Sequence, residues 1–172
     1  MGANTSSLLS EEIDEISRQA DLPRLEVKRL YKRFQKLDRT QSGTLDADEL
    51  LMIPELSMNP LHPRLLAVFE NVNFHEFVNN IAAFSPSGAE EKKVDFAFKV
   101  YDVDADGFIS KHDLDTVIRM LVGEHIPDET VQEVVARVVE AADLDKDGRI
   151  SRSEFTSAVD VADLASRLTV SF

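Results

Sequence analysis

The chain has 172 residues, 43% of them hydrophobic and ten of them Phe, enough for a real core in one globular unit or two small lobes. It contains no Cys and no Trp, which excludes a disulfide framework and a thiolate metal site and suits a reducing compartment. Its formal net charge of −13 argues against nucleic acid as a partner, because phosphates would be repelled.

No apolar run approaches the roughly 18 residues of a transmembrane helix, and no secretory h-region is present. The expected location is cytoplasmic. The opening MGANTS fits the acylation pattern at Gly2, with Ser6 at the required place, so a myristoyl chain could add membrane association. One such chain alone binds a membrane only marginally.

Ser10 with Glu11 and Glu12 reads as a helix start, since carboxylates suit the positive end of the helix dipole. Ile13, Ile16 and Ala20 share one face. Pro23 interrupts the pattern. A second helix follows, with Val27, Leu30, Phe34 and Leu37 at helical spacing and Lys28, Arg29, Lys32, Arg33 and Lys36 between them.

Asp38 to Glu49, DRTQSGTLDADE, then places oxygen groups at regular intervals: Asp38, Thr40, Ser42, the Thr44 carbonyl, Asp46 and Glu49. These are positions one, three, five, seven, nine and twelve, with Gly43 at six and Leu45 at eight. A calcium ion takes six to eight oxygens, and a twelve-residue EF-hand loop supplies them at these positions. Thr40 stands where a carboxylate is usual, so this first hand is expected to bind weakly.

Leu50–Ile53 continues a short helix that Pro54 should end. Asn59-Pro60 and His62-Pro63 mark a linker, because residues before Pro avoid the helical region. Leu65, Leu66, Val68 and Phe69 restart a helix. In ENVNFHEF, Val72 takes position eight and Glu76 position twelve, but position one would then be Leu65. The second hand lacks its acidic half and is expected to bind no metal, while keeping its strand and a following helix with Phe74, Phe77, Val78 and Ile81.

SPSG at 85–88 marks a lobe boundary. Val94, Ala97, Phe98 and Tyr101 form the next helical face. DVDADGFISKHD follows, with ligands Asp102, Asp104, Asp106, the Phe108 carbonyl, Ser110 and Asp113. Asp113 is one methylene shorter than Glu, which should weaken calcium and favour Mg²⁺, a smaller six-coordinate ion. Leu114, Val117, Ile118, Leu121 and Val122 line the next helix. After GEHIP, Asp128 caps a helix facing inward through Val131, Val134, Val135, Val138, Val139 and Ala142. The fourth loop, DLDKDGRISRSE, offers Asp143, Asp145, Asp147, the Arg149 carbonyl, Ser151 and Glu154, with Gly148 and Ile150 in place. A short helix with Phe155 and Val159 and an amphipathic tail close the chain.

Repeated helix–loop–helix units predict an all-α fold of two lobes, each a pair of hands joined by a short antiparallel strand pair: Leu45 with Val72, and Ile109 with Ile150. The divisions are 1–22, an N-terminal segment; 23–84, hands one and two; 85–159, hands three and four; and 160–172, a tail. Calcium is expected in hands three and four, weakly in hand one and not in hand two. Such paired hands leave clefts for amphipathic helices. The four histidines are scattered without a paired nucleophile, so an enzyme is the least expected class.

RLYKRFQKLD, IPELSMNPL, VDFAFKVYDVDADGFIS, RMLVG and AADLDKDGRISRSEF resemble calcineurin B and the calcineurin B homologous proteins almost end to end. The resemblance implies a myristoylated regulatory subunit gripping a helix of a serine/threonine phosphatase. Phe34, Phe69, Phe98, Met120, Leu121 and Val122 are then groove candidates by position. The homologous proteins instead imply a sodium/proton exchanger as partner, and the VNF of hand two and the terminal LTVSF resemble theirs. A free calcium sensor or buffer is the third reading.

Overall fold

The computed structural model describes residues 10–83, 89–123 and 125–160. Gly2, the SPSG boundary and the apolar tail lie outside the described residues.

Apolar periodicity decides which face of each helix turns inward. α1 (Ser10–Ala20) buries Ile13, Ile16 and Ala20, with Glu11 and Glu12 in its first turn. Asp21 takes a left-handed φ of 56°, and Pro23 then caps α2 (Arg24–Leu37). α2 buries the expected Val27, Leu30, Phe34 and Leu37 and exposes Lys28, Arg29, Lys32 and Lys36.

After β1 (Thr44–Leu45) and α3 (Ala47–Leu50), two prolines behave otherwise than expected. Pro54 does not end a helix: α3 stops at Leu50, and Pro54 is the first residue of α4 (Pro54–Ser57). Pro63 is the second residue of α5 (His62–Phe69), so only Asn59-Pro60 is a true connector. A first helical turn needs no N–H donor, and the fixed φ of Pro suits it. β2 (Val72–Asn73) and α6 (Phe74–Ala82) complete the second hand, and Phe74, Phe77, Val78 and Ile81 are buried as expected.

α7 (Glu90–Tyr101), β3 (Phe108–Ile109) and α8 (Lys111–Val122) form the third hand. α9 (Asp128–Ala142), β4 (Ile150–Ser151) and α10 (Arg152–Ala158) form the fourth. Pro127, not Asp128, occupies the position before α9, and the Asp128 carboxylate instead meets Arg119 at 2.8 Å.

Both strand pairs have the expected register, Leu45 opposite Val72 and Ile109 opposite Ile150. The buried residues of both halves form one cluster. α7 is the reason: besides Val94, Ala97 and Phe98 it buries Phe96 and Val100, because a second side of it faces α5. There the Phe69 and Phe96 rings lie 5.7 Å apart.

Candidate metal centres and interaction surface

Each acidic loop begins where a helix runs out. α2, α7 and α9 stop one residue before Asp38, Asp102 and Asp143. These first carboxylates turn back and accept backbone N–H bonds from positions five and six. Asp38 accepts from Ser42 at 2.9 Å and Gly43 at 2.8 Å. Asp102 accepts from Asp106 at 3.1 Å and Gly107 at 3.0 Å. Asp143 accepts from Asp147 at 3.2 Å and Gly148 at 2.8 Å. The glycines at position six have φ of 84°, 88° and 86° with nothing within 4 Å of an added Cβ, so conformation and not space calls for glycine there.

The twelfth residue ties both ends of each loop together. Glu154 Oε1 accepts from the Leu144 N–H at 2.8 Å, and Oε2 from the Ser151 N–H at 2.8 Å and hydroxyl at 2.7 Å. Asp113 makes the same crossing from a shorter stem, from the Val103 N–H at 3.1 Å and the Ser110 N–H at 2.7 Å. Glu49 accepts from the Thr40 N–H at 3.0 Å and the Asp46 N–H at 3.2 Å. Glu49, Asp113 and Glu154 are 4%, 0% and 7% exposed, and these bonds offset the desolvation of three buried carboxylates.

Electrostatics set the loops up for a cation. The Ser151 hydroxyl and N–H hold the Glu154 carboxyl down to about 2, against the pull of burial. Burial pushes the Asp102 carboxyl up, and Asp106 and Asp113 add like-charge repulsion. Asp102, Asp104 and Asp106 each offer an oxygen within 4.8 Å of the others, as do Asp143, Asp145 and Asp147. All-oxygen donors of this charge suit a hard divalent ion, which would relieve the repulsion.

The first loop is built alike but carries different side chains at positions three and five. The Thr40 hydroxyl donates to Glu49 at 3.1 Å, and the Ser42 hydroxyl donates to the Thr44 carbonyl at 2.9 Å. Candidate ligands thus bond one another, and two neutral hydroxyls stand where the other loops have carboxylates. In hand two, Leu65 is fully buried inside α5, and Asn73 and Glu76 form a reciprocal cap on α6.

Two features carry no signal in the sequence. The Arg149 guanidinium stacks 4.1 Å from the Phe108 ring centroid, joining the position-seven residues of loops three and four through their side chains. Arg64 on α5 donates Nε to the Val100 carbonyl at 2.9 Å and Nη2 to those of Lys99 at 3.0 Å and Asp102 at 2.9 Å. A lone Arg in NPLHPRLL gives no local hint of this reach.

The groove candidates divide. Phe34 packs on Phe74 and Phe77, Phe69 on Phe77 and Phe96, and Phe98 on Phe155, so these three are buried in the core in this conformation. Met120 is half-buried, while Leu121 and Val122 are 46% and 47% exposed. Val134 and Val138, expected to face inward, are 41% and 36% exposed, because the buried strip of α9 is only Val131, Val135, Val139 and Ala142.

Residues 91–159 match a family model described as an EF-hand domain pair, and residues 30–53 match one described as an EF hand. The chain is 43% identical to the calcineurin B protein of Naegleria gruberi, over 99% of each chain. It belongs to the calcineurin B family. Two more calcineurin B relatives agree: that of Candida glabrata is 38% identical over 100% of this chain and 99% of its own. Type 1 of Dictyostelium discoideum is 41% identical over 90% and 89%. Within this calcineurin B family member the matched segments contain all three acidic loops, so it is an EF-hand calcium-binding chain. Among the described residues no helix is long and apolar enough to cross a membrane.

Proposed function

We propose that this chain is the Ca²⁺-binding regulatory subunit of a calcineurin-type serine/threonine phosphatase, with no catalytic site of its own. The observation that carries this is its likeness to calcineurin B over nearly the whole chain, joined to the two aspartate triads. Loops three and four hold Ca²⁺ most tightly. Loop one binds more weakly because fewer charges face its ion. Hand two binds none. Asp113 makes loop three the one most open to Mg²⁺.

The apolar surface at Met120, Leu121, Val122, Val134 and Val138 then receives a helix of the catalytic subunit, and opening of the hands would bring Phe34, Phe69 and Phe98 into reach. Acylation at Gly2 would add a weak membrane tether. The exchanger-subunit reading rests on the metal-free second hand. The relatives above all carry the calcineurin name, which favours the phosphatase. A free buffer would have little use for exposed Leu121 and Val122.

The test is purification from the native source, once in calcium and once in chelator, with identification of what accompanies the chain by mass spectrometry. A phosphatase catalytic chain retained in both supports the proposal. A membrane exchanger in its place supports the second reading, and a chain that comes alone in both leaves it a buffer.

A further inference from the structure

Hand two has lost its ligands, yet it sits between two loops that have them. Its first helix, α5, spans His62–Phe69. Near one end Arg64 bonds the last carbonyls of α7 and the carbonyl of Asp102, the first residue of loop three. Past its other end the Asn71 N–H donates to the Leu45 carbonyl at 2.7 Å, and Val72 pairs with Leu45 of loop one. A cavity of about 480 Å³ lies beside Arg64, lined among others by Val68, Val72, Lys99 and Val103. Beside the packed Phe69–Phe96 contact, the guanidinium is thus a polar tie between the two halves at the edge of this cavity.

A planar guanidinium can hold several carbonyls at once, which an ammonium cannot reproduce. Helix-terminal carbonyls are also where a cation belongs. We propose that the metal-free second hand is a connecting bar between loops three and one, and that Arg64 is the positioning residue that fastens it to loop three. The inference rests on calcium entering loop three, as proposed above. Filling loop three fixes Asp102; Arg64 passes that order to α5, and α5 to the β1–β2 pair.

The test is a double-mutant cycle read by amide hydrogen exchange at Leu45 and Val72, in saturating calcium. Loop three is silenced by Asp104→Asn with Asp106→Asn, in the wild-type and in the Arg64→Ala background. Silencing should speed exchange at β1–β2 by about fivefold or more with Arg64 present, the lower end of usual coupling between sites, and by less than about twofold without it. Arg64→Lys should fall between, and far-UV circular dichroism checks that each variant folds. A Gly107 amide resonance that calcium does not move overturns the metal reading and this inference with it. A Gly107 that moves, with equal silencing effects in both backgrounds or none in either, overturns the coupling alone.

Discussion

Glu154 and Asp113 show how one carboxylate serves a loop in two ways. Each already bonds both ends of its loop through the backbone, and each adds like-charge repulsion to an aspartate near the loop's start, Glu154 to Asp145 and Asp113 to Asp102. Glu154→Gln keeps the shape but removes the charge and one acceptor, so the Ser151 and Leu144 N–H groups can no longer both be satisfied as they are. Calorimetry should find calcium at loop four weakened by at least about tenfold, since a full ligand charge is lost. An unchanged titration would remove Glu154 from the ligand set. Asp113→Glu probes the opposite direction. The added methylene extends bidentate reach, so a competition titration should show loop three shifted toward Ca²⁺ over Mg²⁺. A shift toward Mg²⁺ would contradict the role given to stem length. These residues were legible in the sequence because loop spacing is set by ion geometry. The hydroxyl pairings of Thr40 and Ser42 were not, because they depend on where neighbouring carbonyls come to rest.

Elements follow local rules until a second neighbour intervenes. The stripes of α1, α2 and α6 could be read directly, since each buries one face. α7 could not: Phe96 and Val100 lie off its expected face and are buried where α7 also meets α5 of the other half, with Phe96 against Phe69. The same contact explains Phe69, a groove candidate by position and a core residue in the structure. Phe69→Ala should therefore cost about 3–5 kcal/mol in denaturant unfolding, the usual range for a buried Phe. A loss below about 1 kcal/mol, typical of surface substitutions, would mean that the ring is not core. Pro54 and Pro63 misled for a different reason. A proline ends a helix from inside but suits its first turn, so the residue type alone does not say on which side of it the helix lies. Gly148→Ala belongs at this scale as well. With no atom near the new Cβ, the cost is the left-handed backbone alone, about 1–2 kcal/mol in the same unfolding experiment.

The whole molecule joins two pairs of hands through one core and leaves apolar side chains outside it. The pairing was legible from the repeated loops, down to Leu45 with Val72 and Ile109 with Ile150. The union of the halves was not, because Arg64 and Phe96 act across a long stretch of sequence that no periodicity describes. Leu121→Asp with Val122→Asp tests the outer surface. Both side chains are about half exposed, so stability should change by no more than about 0.5 kcal/mol for each. Capture of the phosphatase catalytic chain should nevertheless fall sharply, because charge in an apolar interface is left unpaired. Undiminished capture would move the partner to another face. The most direct test of the account is a calcium titration followed by NMR at Gly43, Gly107 and Gly148, one amide for each acidic loop. Gly107 and Gly148 should shift first and together, and Gly43 only at higher calcium. Amides of Gly107 and Gly148 that stay in place at millimolar calcium, or a Gly43 that moves before them, would contradict it.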